Sequence, residues 1–166
     1  MRSASKDARR KLIRILQNAH AGELAAAYAY RGHWRSVRNA EEKTEIRRIE
    51  AEEWAHRENV RRWLEKLDAR PRKLREAVFW TIGRSLGVLC FVSGWFFPMY
   101  FAGRLESQNI LEYAEAADFA RQLQMKDCAE EMIAMSRVEA EHEEYFRRVI
   151  RGHRLLPVMK KVFGWK

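Results

Sequence analysis

Residues 46–67 read IRRIEAEEWAHRENVRRWLEKL, and one periodic set runs through them: Ile46, Ile49, Glu53, His56, Val60, Trp63 and Leu67. The steps alternate between three and four, the spacing that lines up one face of an α-helix. The ends of the set are apolar, so this face is turned towards a core. Glu53 and His56 interrupt it at its centre, where an unpaired carboxylate would lose several kcal/mol of solvation. A seam that keeps such a pair has a use for it.

The same defect recurs elsewhere. Met132, Met135, Glu139, His142, Phe146 and Val149 repeat the spacing, with Glu-x-x-His again in the middle. Leu12, Leu16, Ala19, Glu23, Ala26 and Tyr30 form a third seam containing one carboxylate. Ala102, Glu106, Asn109, Tyr113, Ala116 and Ala120 form a fourth, with Glu106 as its carboxylate. A register shifted by one, with Glu52 in place of Glu53, would return the acids to water, but the shift would have to occur on four helices independently.

Breaks between the seams set the organisation. The first helix is expected over about Lys6 to Arg38, and the second from Asn39 and Ala40 to about Leu67. Asp68-Ala-Arg-Pro71 then stops it, because proline cannot continue the ladder and disfavours helix in the residue before it. A third bundle helix is expected from about Pro98 to Gln124. Met125, Lys126 and Asp127 turn the chain into a fourth that ends near Gly152, with Asp127 as N-cap. Between the second and third lies a crossover, residues 72–103, without charge from Leu86 to Gly103. Gly87, Gly94 and Pro98 interrupt it, and its aromatic residues (Trp80, Trp95, Phe96, Phe97, Tyr100, Phe101) suit a membrane interface better than a span. The outline is an all-α chain, one domain over residues 1–166: a four-helix bundle with a long apolar crossover between helices two and three, as in ferritin-like folds. A basic tail, residues 153–166, is expected as a short surface helix.

Composition agrees. With 166 residues, 47% hydrophobic, 8 glycines and 3 prolines, the chain favours helices and can bury a continuous core. Cys90 and Cys128 form neither a CxxC pair nor a disulfide framework, as expected in a reducing compartment. Met1 to Arg14 is basic and free of glutamate, but its apolar spacing runs into the first helix, so it is read as structure and not as a transit peptide. A net charge of +9 asks for an acidic partner. The aromatic crossover points to an anionic membrane surface instead of nucleic acid.

Four glutamates and two histidines facing one core need neutralising, and no lysine or arginine shares their seams. Two divalent cations meet that need. Residues three apart on a helix lie within reach of one metal, so Glu53 with His56 and Glu139 with His142 can each serve an ion. Glu53 and Glu139 bridge, while Glu23 and Glu106 cap the outer sides. Carboxylate and imidazole without thiolate suit iron, with manganese the alternative. Two ferrous ions can each give an electron to dioxygen and must then be reduced again. His20 and His33 are expected in supporting or surface positions, Tyr30 and Tyr113 in core packing ahead of a redox-active or substrate-facing role, and His153 at the surface.

The string His20-Ala-Gly-Glu23, followed by Glu52-Glu53-Trp-Ala-His56, Leu67-Asp-Ala-Arg-Pro71, Leu105-Glu106 and Glu139-Ala-Glu-His142, resembles the demethoxyubiquinone hydroxylase family in order and spacing. The resemblance covers nearly the whole chain. It implies a di-iron monooxygenase whose ligands are Glu23, Glu53, His56, Glu106, Glu139 and His142. The implied substrate is a prenylated demethoxyquinone of ubiquinone biosynthesis, met on the cytoplasmic face of an inner membrane if the cell is bacterial. That family usually carries histidine then tyrosine six and seven residues after the helix-three glutamate. Here the pair is Glu112 and Tyr113, expected as catalytic residues beside the metals.

No Gly-x-Gly-x-x-Gly loop is present, so reducing equivalents are expected from outside, from NADH or a reductase. A homodimer or a biosynthetic complex is the expected assembly. Two other readings compete: a ferritin-like di-iron oxidase or peroxidase, and a non-catalytic basic helical binder of membrane or nucleic acid.

Overall fold

The computed structural model describes residues 2–165; Met1 and Lys166, the outermost residues of the two basic ends, lie outside them. Among the described residues every regular element is helical: α1 (Arg2–Ser36), α2 (Ala40–Lys66), α3 (Lys73–Leu89), α4 (Phe96–Gln122), α5 (Lys126–Val149) and α6 (Leu156–Phe163). The four seams fall on α1, α2, α4 and α5. These make two hairpins, α1 with α2 and α4 with α5, which pack together through α1 against α4 and α2 against α5. The result is the expected ferritin-like bundle.

The ends of α2 follow from local chemistry. Asn39 is its N-cap, the side-chain oxygen accepting from the N–H groups of Glu41 (2.8 Å) and Glu42 (3.0 Å). Those two acids also face the positive end of the helix dipole. At the other end Asp68 takes the left-handed region (φ 50°) and Pro71 follows. The turn into α5 differs from expectation. Gln124 adopts φ 59°, and the Met125 N–H returns to the Ala120 carbonyl at 2.9 Å. The chain has therefore turned before Asp127, which lies in the first turn of α5 and caps nothing with its side chain.

The crossover is helical over most of its length. The buried residues of α3 are Gly83 and Gly87, and they let its backbone lie directly on α1. A Cβ on Gly83 would collide with the backbone of Ala25, and one on Gly32 of α1 with the backbone of Gly87. A polar clasp fixes the start of α3: Glu76 accepts from Arg57 of α2 (2.6 Å) and pairs with His20 Nδ1 of α1 (2.8 Å). The tail is more than a surface helix. Met159 and Trp165 are buried, and the Trp165 ring occupies the space that a side chain at Gly103 would need. His153 likewise stacks on Phe96, centroids 4.1 Å apart, instead of standing free.

The core has two parts. One is built on Leu12, Leu16, Val60, Trp63, Leu64, Ala116 and Met132. The other is built on Ile46, Ile49, Met99, Tyr100, Phe146 and Ile150. Buried polar residues separate them.

Candidate metal centre

Between the two apolar clusters the four bundle helices bring together the six seam residues, all buried. Glu23, Glu53, His56 and Glu139 offer ligand atoms that all lie within 4.8 Å of one another, and so do Glu53, Glu106, Glu139 and His142. Glu53 and Glu139 belong to both groups. The antiparallel pairing of α2 and α5 puts each histidine against the other helix's glutamate. His56 Nδ1 lies 3.0 Å from Glu139 Oε1; His142 Nδ1 lies 3.2 Å from Glu139 Oε2 and 3.4 Å from Glu53 Oε1.

The outer carboxylates repeat this reciprocity. Tyr30 and Tyr113 each follow a seam glutamate by seven residues, two helical turns. Antiparallel packing of α1 on α4 crosses them, so that Tyr30 donates to Glu106 and Tyr113 to Glu23. Asn109 donates to the other oxygen of Glu106 at 3.0 Å. The expectation of plain core packing for the two tyrosines therefore falls short, and the seven-residue spacing was the signal available. Glu52, the off-register neighbour of Glu53, is at the rim, 2.7 Å from His142 Nε2, and is paired with Arg48.

Electrostatics argue for a cation. Burial pushes the carboxyls of Glu23, Glu53 and Glu106 up, and neighbouring carboxylates push Glu53 and Glu106 further. Burial acts on Glu139 too, but hydrogen bonds to His142 and His56 outweigh it and hold that carboxyl down at about 2. For His56 the partnership with Glu139 likewise outweighs burial and raises the imidazole. Neither oxygen of Glu53 has a hydrogen-bond partner, nor does Glu23 Oε2. The contrast is Glu50, also buried on α2, whose oxygens accept from Arg31 (2.7 Å) and Trp34 (2.6 Å). Among the described residues no lysine or arginine pairs with any of the four clustered carboxylates. Orphaned buried oxygens and a hard oxygen-and-imidazole donor set fit one or two metal ions.

Glu112 and His20 stay outside the cluster. Glu112 is half-buried on a cavity wall shared with Glu23, Asn109 and Tyr113, and burial, with Glu23 and Glu115 adding, pushes its carboxyl up to about 7. His20 is spent on Glu76. A larger apolar cavity of about 380 Å³ lies under α3, bounded by Tyr30, His33, Leu89, Phe97, Phe101 and Leu105 among others. Ala26, Ala29, Leu86 and Leu105 line both cavities, so the two adjoin beneath the crossover, one reaching Phe97 and the other the Glu23 side of the cluster.

The family model described as "Ubiquinone biosynthesis protein COQ7" matches residues 10–113. The matched span carries Glu23, Glu53, His56 and Glu106; Glu139 and His142 lie beyond it and join through α5. Comparison with curated proteins and with solved structures gave no match.

Proposed function

The chain belongs to the ubiquinone biosynthesis protein COQ7 family, and we propose that it is a di-iron, dioxygen-dependent monooxygenase that hydroxylates a prenylated demethoxyquinone at a membrane surface. The observation that carries this reading is the buried six-residue cluster with unpartnered carboxylate oxygens beside an apolar cavity.

Glu23, Glu53, His56 and Glu139 would hold one ion, and Glu53, Glu106, Glu139 and His142 the other. When bound, a ferrous pair would supply electrons to dioxygen, with an external donor such as NADH or a reductase restoring them. The chain's own residues orient and exclude. Tyr30 and Tyr113 fix the outer carboxylates by hydrogen bonds, and Glu52 holds His142 Nε2, leaving Nδ1 towards the cluster. The α3 roof covers the apolar space in which a prenylated ring would lie, and the half-exposed side chains of Leu89, Phe97 and Phe101 at its rim leave a way in.

A membrane-surface setting is supported by the outer side of α3, where Leu74, Val78 and Val88 are exposed, and by the turn after it, where Phe91 and Val92 are exposed. Among the described residues no helix is long and apolar enough to cross a membrane.

Iron reconstitution followed by mass spectrometry of a short-chain demethoxybenzoquinone is the test. The reading expects a product heavier by one oxygen and its loss, with the iron, in Glu53→Ala. Hydroxylation retained in Glu53→Ala, or peroxide consumption without hydroxylation by the wild type, would sink it.

A further inference from the structure

The cavity under α3 is apolar except at a few points. The Tyr30 hydroxyl is committed to Glu106, and Ser93 and the Cys90 thiol are only partly buried. His33 is different. It is 2% exposed, lines the cavity, and its Nε2 has no hydrogen-bond partner. An imidazole nitrogen left unpaired in an apolar enclosure costs free energy that packing does not return.

The ring is also held in place. His33 lies near-parallel to Tyr30, centroids 6.3 Å apart at 17°, and to Phe146, 6.0 Å apart at 14°. Burial holds the imidazole down at about 4, so near neutrality it is uncharged and carries one N–H and one lone pair. The nitrogen lies just behind the apolar wall, closed to solvent, so a ligand that is apolar with a polar atom at one point reaches it when half-exposed side chains of that wall, Leu89 and Phe97 among them, turn aside. Because its neighbour Tyr30 reaches the cluster, a ligand anchored here has its ring end on the metal side.

We propose that His33 is the positioning residue of this cavity, its Nε2 pairing with one ring oxygen of a quinone or quinol whose apolar substituents fill the remaining space. The Nε2–H would meet a carbonyl, or the bare nitrogen a hydroxyl. The quinone class rests on the function proposed above; the anchor itself rests on the cavity and the unpaired nitrogen.

The test measures binding by the metal-free full chain, so that it does not depend on turnover. A short-chain demethoxybenzoquinone is titrated against wild type, His33→Phe and His33→Gln, alongside a ring-matched alkylbenzene without oxygens. Phenylalanine keeps the stacked packing and removes the nitrogen, whereas glutamine restores a donor and an acceptor. The expected result is quinone affinity about five- to tenfold weaker in His33→Phe, recovered to within about threefold in His33→Gln, with alkylbenzene affinity unchanged in both. In ring-¹⁵N-histidine protein the His33 Nε2 resonance should move with quinone and stay put with alkylbenzene. Equal quinone affinity in wild type and His33→Phe, or an unmoved resonance, overturns the proposal. If the iron-loaded protein forms no hydroxylated product while quinone binding still depends on His33, the hydroxylase reading fails and the anchor stands.

Discussion

Glu53 is the residue on which the centre turns. It is fully buried, neither oxygen is hydrogen-bonded, and it belongs to both ligand groups. Without a cation it is a liability, because burial and the neighbouring carboxylates Glu23, Glu139 and Glu106 all oppose its charge. Glu53→Gln should therefore melt at the same temperature as the metal-free wild type, or higher. Manganous ion is expected to stabilise the wild type by about 2.7 kcal/mol per site at a hundredfold excess over Kd, and that gain should be absent in the variant. Scanning calorimetry with and without metal checks both halves, and a variant that still gains stability from metal would refute the bridging role. His33 gives a pH signature with the opposite dependence on charge. Its imidazole titrates near 6.5 unfolded and near 4 folded, so between those values the unfolded chain binds the additional proton. Its contribution is present above pH 6.5 and is lost as pH falls towards 4, on the order of 3 kcal/mol in all. Urea unfolding at pH 7 and pH 4.5 should show a smaller acid loss in His33→Phe than in wild type; equal losses would contradict this.

Among the elements, α3 is the one whose form the sequence concealed. The four bundle helices were legible because each buries an apolar stripe with a polar interruption, and a period of 3.6 is visible when one face differs from the other. In α3 the buried face consists of Gly83 and Gly87, which have no side chain to register, while Leu74, Val78 and Val88 face outwards. Its hydrophobicity is thus inverted relative to a core helix. The Asp127 cap failed for a different reason: the turn is set by the left-handed backbone of Gln124, which no side-chain pattern announces. The crossed tyrosines needed the antiparallel packing as well as the spacing. The close approach of α3 to α1 makes a paired prediction. Glycine to alanine within a helix ordinarily stabilises by up to about 1 kcal/mol, and Gly22, with open space around its Cβ position, should behave so. At Gly83 the added methyl meets the Ala25 backbone, so Gly83→Ala should instead destabilise by roughly 1–3 kcal/mol and speed amide exchange along α3. The same sign at both positions would mean that the helices are not in backbone contact.

At the scale of the whole molecule, charge and apolar surface point to one setting. The net charge is +9, and Lys160 and Lys161 lie between exposed Val158 and Val162 on α6. Phe101 connects this end to the crossover: it lines the cavity under α3, and its ring meets Phe163 of α6 edge-on at 5.2 Å. A cavity roofed by one exposed apolar helix, with a second packed against its wall at Phe101, can receive a lipid substrate without exposing it to water, provided those helices rest in the interface. Val88 and Val92, 67% and 78% exposed, make no contribution to the core. Val88→Asp combined with Val92→Asp should therefore leave melting and metal stoichiometry unchanged, since surface substitutions rarely exceed about 0.5 kcal/mol. Wild type should sediment with vesicles containing phosphatidylglycerol, and less so in about 0.5 M salt, where screening shortens the reach of its lysines and arginines to a few ångströms. The double variant should stay largely in the supernatant at either salt concentration, because the charge that steers it is reduced by two and the apolar contact that retains it is gone. Vesicle binding that is insensitive to both the aspartates and salt would place the contact elsewhere on the molecule and remove the reason for an apolar roof over the cavity.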